Sequence, residues 1–265
     1  MKFLVFGDVV GRVGRSAMTK ILPQLRKEYK PDSVIINVEN MARGKGITRN
    51  TMNEALTWKA DVYTTGDHAW DNDGELDVLD DLSIPVIRPA NYPAKTPGRG
   101  WHVFTNGAWQ VAVINLQGQV FFRNHPRSPF EALDEILQKP DVAAAHIKLV
   151  DFHAEVTSEK RAFGWHADGR VSAMWGTHTH VPTADAQILP KGTGYISDLG
   201  MCGGHNTIIG MKPDGPMRMF LTQTKSKFEP PEEGSAEIGA MFIDIDPSSG
   251  KTTHIEHVRR IVENV

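Results

Sequence analysis

Short apolar runs that end in polar residues recur along the first part of the chain. Runs rich in β-branched and aromatic residues cover positions 2–7, 33–38 and 61–65, a pattern typical of strands that are buried on both faces. A carboxylate, an amide or an imidazole follows each run. These polar residues are Asp8 after the first run, Glu39 and Asn40 after the second, and Asp67 and His68 after the third.

Helical spacing fills the segments between these runs. Apolar residues at positions 18, 21, 22 and 25 predict a helix over 13–29, in which Pro23 would cause a kink or an early end. Thr48 is a candidate N-cap for a helix after the second run. Repeated strand-loop-helix units favour a parallel sheet with right-handed crossovers. Such a sheet brings Asp8, Glu39 and Asp67 to one edge, where open parallel sheets place their sites.

The middle of the chain has shorter elements of both kinds. Several prolines make 82–100 an irregular connection. The elements predicted after it are strands over 101–105 and 110–116 joined by a turn at Asn106 and Gly107, a helix that begins near Ser128, a strand over 142–150 that leads to His153, a helix over 155–165, and a strand over 171–175 that leads into Gly176-Thr177-His178-Thr179-His180.

The last third of the chain differs in its pattern. Strand-like runs over 216–222, 238–245 and 254–262 are separated by polar or Pro-Gly segments. We predict from them a second sheet of mostly antiparallel strands that packs on the first sheet. The complete pattern therefore indicates an α/β protein.

Composition narrows the functional classes. The chain has 265 residues, enough for one large α/β domain over 1–265, and its net charge of −3 gives no indication of a nucleic-acid surface or a basic membrane anchor. No apolar stretch approaches the ~20 residues needed to span a bilayer, and positions 1–8 predict a strand rather than a signal segment. Cys202 is the single cysteine, so an internal disulfide is excluded, the cytoplasm is the expected compartment and Cys202 is predicted to be structural.

The histidines at 178 and 180 are the most informative short motif. A loop at the end of a strand can direct both imidazoles into one pocket, and imidazole is a common neutral metal ligand. An isolated pair of this spacing is more often a surface feature, so the interpretation depends on the other strand ends. The complete set of ligand-type residues at strand ends is Asp8, Glu39, Asn40, Asp67, His68, His153, His178 and His180.

A metal site explains why these groups share one edge. Carboxylates brought close together repel one another unless a positive charge lies between them. Mixed carboxylate and imidazole ligands suit Fe, Mn or Zn, and the single cysteine excludes a thiolate site. The set is too large for one tetrahedral ion, so we predict two divalent or mixed-valence ions that share Glu39 as a bridge.

The order of these motifs resembles the calcineurin-like metallophosphoesterase superfamily. Gly66-Asp67-His68 matches its third motif, His153 its fourth, and Gly176-Thr177-His178-Thr179-His180 its fifth. Val10 replaces the histidine of the first motif, and Glu39-Asn40 replaces the acid of the second. These departures, with the segment from Glu39 to Thr48, resemble the YmdB-type branch of bacterial phosphodiesterases over essentially the whole chain.

The resemblance implies a fold and an activity. The implied fold is a four-layer αββα sandwich of two mixed β-sheets flanked by helices. The implied activity is hydrolysis of phosphodiesters, including cyclic nucleotides such as 2′,3′-cAMP, by attack of a metal-bound hydroxide. One metal would take Asp8, Glu39 and His180, the other Glu39, Asp67, His153 and His178, with Asn40 at or beside the centre, and His68 would protonate the leaving alkoxide. The expected partner is a small phosphodiester substrate, and no association with a membrane is expected. Assembly into a homo-oligomer is left open.

Asp67 departs from the asparagine that is usual in the third motif. Its extra negative charge should favour a more highly charged metal state or weaken phosphate affinity. We expect Asp67→Asn to change both metal content and turnover, measured by metal analysis and phosphodiesterase assay. Unchanged values would rule this expectation out.

Alternative interpretations remain at this point. The chain could hydrolyse phosphomonoesters, or it could be a regulatory or RNA-associated protein whose metal site is mainly structural. Arg43, Lys45 and Arg123 are candidate phosphate contacts, although solvated charges are the simpler interpretation of each. Among the unassigned histidines, His205 is expected to line the pocket.

Overall fold

Two β-sheets lie face to face in the computed structural model, which describes residues 1–72 and 76–265. The strands are β1 (Lys2–Phe6), β2 (Asp8–Val9), β3 (Ser33–Asn37), β4 (Val62–Thr64), β5 (Trp101–Asn106), β6 (Trp109–Gln117), β7 (Ile147–His153), β8 (Ala173–Thr177), β9 (Gln187–Ile188), β10 (Gly194–Ile196), β11 (Met201–Gly204), β12 (Ala236–Asp246) and β13 (Lys251–Val262). The helices are α1 (Gly11–Tyr29), α2 (Arg49–Leu56), α3 (Leu76–Leu79), α4 (Pro129–Ile136), α5 (Pro140–Ala144), α6 (Thr157–Ala167) and α7 (Asp214–Thr222).

Both sheets are mixed. In the first sheet, β1, β3 and β4 are parallel, β12 pairs antiparallel with β1, and β13 pairs with β12. Strand β11 pairs antiparallel with β12 and parallel with β2. In the second sheet the order is β5-β6-β7-β8-β10-β9, with the four inner strands parallel and each edge strand antiparallel to its neighbour.

Alternation of side chains along the strands builds the layers. Phe3 and Val5 of β1 belong to the apolar cluster between the sheets, whereas Leu4 and Phe6 belong to the cluster that α1 covers. A third cluster lies between the second sheet and α4 and α6, where Leu133 and other helix residues are buried. The predicted four-layer αββα sandwich is therefore confirmed.

The prediction for the last third of the chain was wrong in its sheet assignment. Strands β11, β12 and β13 complete the first sheet, and the second sheet is built from the middle of the chain. The cause is a long-range pairing, in which Ala240 of β12 lies opposite Phe6 of β1. Local patterns carry no information about such a partner.

Prolines account for the remaining differences. Residues 216–222 were predicted as a strand but belong to α7, and 142–144 belong to α5, after which β7 begins at Ile147. Pro140 and Pro216 lie in the first turns of these helices. The backbone N–H groups of a first turn have no acceptor within the helix, so a proline there removes no helical hydrogen bond. Pro23 does not end α1, which continues to Tyr29. Among the helices of the described residues, none is both long and apolar enough to cross a membrane.

Candidate metal centre

Strand ends from both sheets meet at one edge of the molecule. Asp8 begins β2, Glu39 follows β3 and Asp67 follows β4, all in the first sheet. His153 ends β7 and His178 follows β8 in the second sheet. The predicted convergence of these residues is what the geometry of parallel strands produces.

His153 lies at the middle of a compact cluster. Its Nε2 atom is 3.0 Å from Glu39 Oε1, 3.0 Å from Asp67 Oδ1 and 3.0 Å from His178 Nδ1. One potential ligand atom from each of Glu39, Asp67, His153 and His178 lies within 4.8 Å of the others. This cluster of carboxylates and imidazoles could bind metal ions.

The other predicted ligands adjoin this cluster. His180 Nε2 is 3.3 Å from Asn40 Oδ1 and 3.8 Å from Asp8 Oδ2. Asp8 Oδ2 accepts a hydrogen bond from the backbone N–H of His178 at 2.9 Å. Asp8 Oδ1 is buried and has no hydrogen-bond partner among residues 1–72 and 76–265. A buried carboxylate oxygen without a partner is costly, and a cation would supply the missing interaction.

Protonation states indicate the same need for positive charge. Burial opposes charge on Asp67, yet hydrogen bonds from His153 and His178 hold the pKa of its carboxyl well below the usual value. Burial likewise opposes charge on His153, yet Glu39 and Asp67 hold its pKa well above the usual value. The cluster therefore attracts positive charge, and the residues present fit a metal ion in both charge and donor type.

Close backbone approach keeps the space around the cluster open. A Cβ atom on Gly66 would lie 2.3 Å from both Glu39 Oε2 and His153 Nε2, so a side chain there would displace the cluster.

Three residues beside the cluster have left-handed backbone conformations. The φ angles are 97° for His178, 63° for His180 and 47° for Ile209. The carbonyl of Ile209 accepts the Nδ1 hydrogen of His180 at 2.9 Å. A left-handed conformation is unusual for a β-branched residue, and such strain is typical of functional sites.

A buried hydrogen-bond chain orients His153. Thr177 Oγ1 donates to Asp151 Oδ1 at 2.7 Å and lies 2.9 Å from His153 Nδ1. The hydroxyl therefore accepts from Nδ1, which directs Nε2 toward Glu39 and Asp67. Burial raises the pKa of Asp151 to about 6. Sequence reasoning missed Asp151, although a carboxylate inside the apolar run 147–152 was a usable signal.

The loop that carries His178 and His180 rests on a buried ion pair. Lys160 Nζ lies 2.5 Å from Asp198 Oδ2 and donates to the carbonyl of Thr177 at 2.9 Å. Asp198 Oδ2 also accepts the backbone N–H of Thr179 at 3.2 Å. Both charged side chains are 1% exposed. The sequence gives no sign of this pair, because Lys160 resembles a surface residue of α6.

His68 stands beside the cluster with its own partner. Its Nδ1 atom is 2.7 Å from Asp71 Oδ2, and its backbone N–H donates to Glu39 Oε2 at 3.3 Å. This arrangement holds the ring and leaves Nε2 for a ligand. Glu155, which sequence reasoning also missed, lies 3.0 Å from His178 Nε2 through its Oε2 atom.

Two cavities open from the cluster and share Lys45, His68 and His178. One of about 430 Å³ is lined by Lys45, Arg123 and Asn124, so two of the cations interpreted as solvated charges face this space. The other, of about 520 Å³, has Glu39, Asn40 and His180 in its lining. His205 does not line either cavity and lies 3.8 Å from Glu237, which corrects its predicted position.

Comparison with known families agrees with this geometry. A family model described as YmdB-like protein matches residues 4–258. The chain belongs to the YmdB-like family. The resemblance inferred from the strand-end motifs is therefore confirmed.

Relatives of this chain match at least 97% of its length. A 2′,3′-cyclic-nucleotide 2′-phosphodiesterase of Bacillus subtilis (strain 168) is 43% identical over 259 residues, which are 97% of this chain and 96% of the relative. A crystal structure described as a novel phosphatase from Mycoplasma pneumoniae has a TM-score of 0.92 and 34% identity, over 99% of this chain and 94% of that one. A hypothetical protein from Thermus thermophilus has a TM-score of 0.90 and 38% identity over 100% of both chains.

Proposed function

We propose that this protein is a metal-dependent phosphodiesterase that opens the cyclic phosphate of a nucleoside 2′,3′-cyclic phosphate such as 2′,3′-cAMP. The observation that carries the proposal is the cluster of Glu39, Asp67, His153 and His178, with the His68 imidazole beside it. The substrate class is supported by the activity for which the Bacillus subtilis relative is named.

Two metal ions are part of the proposal. Asp8, Glu39 and His180 would hold one, and Glu39, Asp67, His153 and His178 the other, with Asn40 at or beside the centre. Oxygen and nitrogen donors of this kind suit Fe or Mn, and Zn also fits. Bound metal ions would neutralise charge on the phosphoryl group and activate water at neutral pH.

The chain's own residues position the substrate and move a proton. Lys45 and Arg123 line the smaller cavity and attract the anionic substrate toward the cluster. Asp71 holds Nδ1 of His68, so that Nε2 faces the leaving oxygen and delivers a proton to it. We further propose that residues 1–265 act as one domain in the cytoplasm, where a single buried cysteine needs no disulfide partner.

Metal removal and reloading test this proposal. Purified protein is expected to hold about two metal ions per chain. A chelator should abolish turnover of bis-p-nitrophenyl phosphate and 2′,3′-cAMP, and Mn or Fe should restore it. Turnover of p-nitrophenyl phosphate in the same panel measures phosphomonoesterase activity, which the description of the Mycoplasma pneumoniae structure as a phosphatase favours as the second candidate.

Two outcomes would contradict the phosphodiesterase assignment. A strong preference for the monoester would make the protein a phosphomonoesterase. Bound metal without turnover of any ester, or no bound metal after loading, would favour a regulatory or RNA-associated protein.

A further inference from the structure

The larger cavity at the cluster has two chemically different kinds of lining residue. Its polar lining residues are Glu39, Asn40, Lys45, His68, Glu155, His178, Thr179 and His180. Its apolar lining comes from the segment 208–228, which we call the apolar wall. Its members are Ile208, Ile209, Met211, Pro216, Met219, Phe220 and Phe228. A ligand whose phosphate lies at the predicted metal ligands therefore shares its cavity with this wall.

Folding alone does not explain the apolar wall. Phe220 is 70% exposed, Ile209 49% and Phe228 41%, and none of them belongs to the three buried apolar clusters. Single exposed apolar residues are common, but an apolar surface continuous with a polar cavity is typical of a ligand site. The cavity volume of about 520 Å³ is sufficient for a mononucleotide.

The apolar wall is held in a fixed position relative to the cluster. The carbonyl of Ile209 accepts the Nδ1 hydrogen of His180, which joins the wall directly to a predicted ligand. Met211 packs on Gly44, where a Cβ atom would lie 2.8 Å from the Met211 methyl group. Phe228 lies against Gly215 at the start of α7, at 3.4 Å from a Cβ placed there. These contacts fix the distance between the apolar wall and a phosphate bound at the cluster.

We propose that the apolar wall is the nucleobase subsite, with Phe220 and Phe228 as its stacking surfaces. The inference rests on the proposed function, because it places the base of the same substrate whose phosphate lies at the cluster. Aromatic rings stack on the planar face of any base. The wall side chains carry no hydrogen-bonding group that could distinguish base edges, so stacking on the wall is possible for every base and is strongest for the larger purines.

A pair of exposed residues on α7 gives a matched test. Phe220 lines the cavity, whereas its neighbour Leu221, 76% exposed, does not. The metal-loaded enzyme is assayed with 2′,3′-cAMP and with the 2′,3′-cyclic phosphate of methyl riboside, which has the same reacting group and no base. Phe220→Ala should raise KM for 2′,3′-cAMP about tenfold, leave kcat nearly unchanged and leave the base-free substrate unaffected. Phe220→Trp should retain wild-type values, and Leu221→Ala should change neither substrate.

The outcomes separate the subsite from the proposed function. Equal losses on both substrates, or no loss on either, would overturn the assignment, and so would conversion of an oligomer to a monomer by Phe220→Ala. If the wild type opens neither cyclic phosphate, the proposed function fails. Nucleotide affinities measured by calorimetry then test the subsite separately. Adenosine 3′-monophosphate should then bind the wild type about tenfold more tightly than Phe220→Ala, with inorganic phosphate binding both equally. Equal nucleotide affinity would overturn the subsite.

Discussion

Replacing His68 by alanine is expected to slow the opening of 2′,3′-cAMP by about 10²- to 10⁴-fold while leaving metal content unchanged. The leaving group in this reaction is a ribose alkoxide, which is strongly basic and needs a proton as the bond to phosphorus breaks. His68 has its Nδ1 atom held by Asp71 at 2.7 Å and faces both cavities at the cluster. Steady-state turnover and metal analysis of the purified variant measure both quantities.

The choice of substrate shows whether His68 is a proton donor. p-Nitrophenolate is a weakly basic leaving group, so the same variant should lose much less activity toward bis-p-nitrophenyl phosphate. Asp71→Asn should give an intermediate loss, about 10- to 100-fold, because only the orientation of the ring is disturbed. His254→Ala, at an exposed histidine of β13, is the control for removing an imidazole. Equal losses on the two substrates, or loss of metal, would contradict the donor role.

Replacing Lys160 by methionine is expected to lower the free energy of unfolding by about 3–5 kcal/mol. Methionine fills much of the same space but leaves the Asp198 carboxylate buried without its counter-charge. The change also removes the hydrogen bond to the Thr177 carbonyl, which helps to fix the loop before His178. Urea unfolding of the metal-free protein measures the effect without a contribution from bound ions.

A double substitution separates the charge effect from packing. Adding Asp198→Asn to Lys160→Met removes the unpaired charge, so the double variant should be more stable than Lys160→Met alone. Lys191→Met, at an exposed lysine in the turn before β10, should change the free energy of unfolding by less than about 0.5 kcal/mol. Additive losses in the double variant would mean that the two side chains do not interact.

The sequence predicted the candidate site better than it predicted the path of the chain. Asp8, Glu39, Asp67, His153 and His178 were identifiable because each follows or ends an apolar run. Parallel strands bring such positions together whatever the order of the strands in each sheet. The predicted grouping of these residues was therefore correct even though the C-terminal strands were assigned to the wrong sheet.

The sequence missed some features that depend on partners distant along the chain and one that has a local cause. Lys160 and Asp198 become informative only as a buried pair, and Thr177 acts through Asp151 and His153. Part of the apolar wall was missed for a local reason, because the short apolar run over 216–222 resembles a strand although it belongs to α7. Neither kind of information is present in the periodicity of a single segment.

The candidate metal ligands come from both sheets, which has a consequence for the whole molecule. Asp8, Glu39 and Asp67 come from the first sheet, and His153 and His178 from the second. Ions held by this set would cross-link the two halves of the sandwich, much as a disulfide joins two segments, in a chain that has only one cysteine. At a free metal concentration of 100 Kd, each such ion would stabilise the folded protein by about 2.7 kcal/mol. Loss of the metal ions would therefore lower the stability of the packing between the two sheets as well as the catalytic activity.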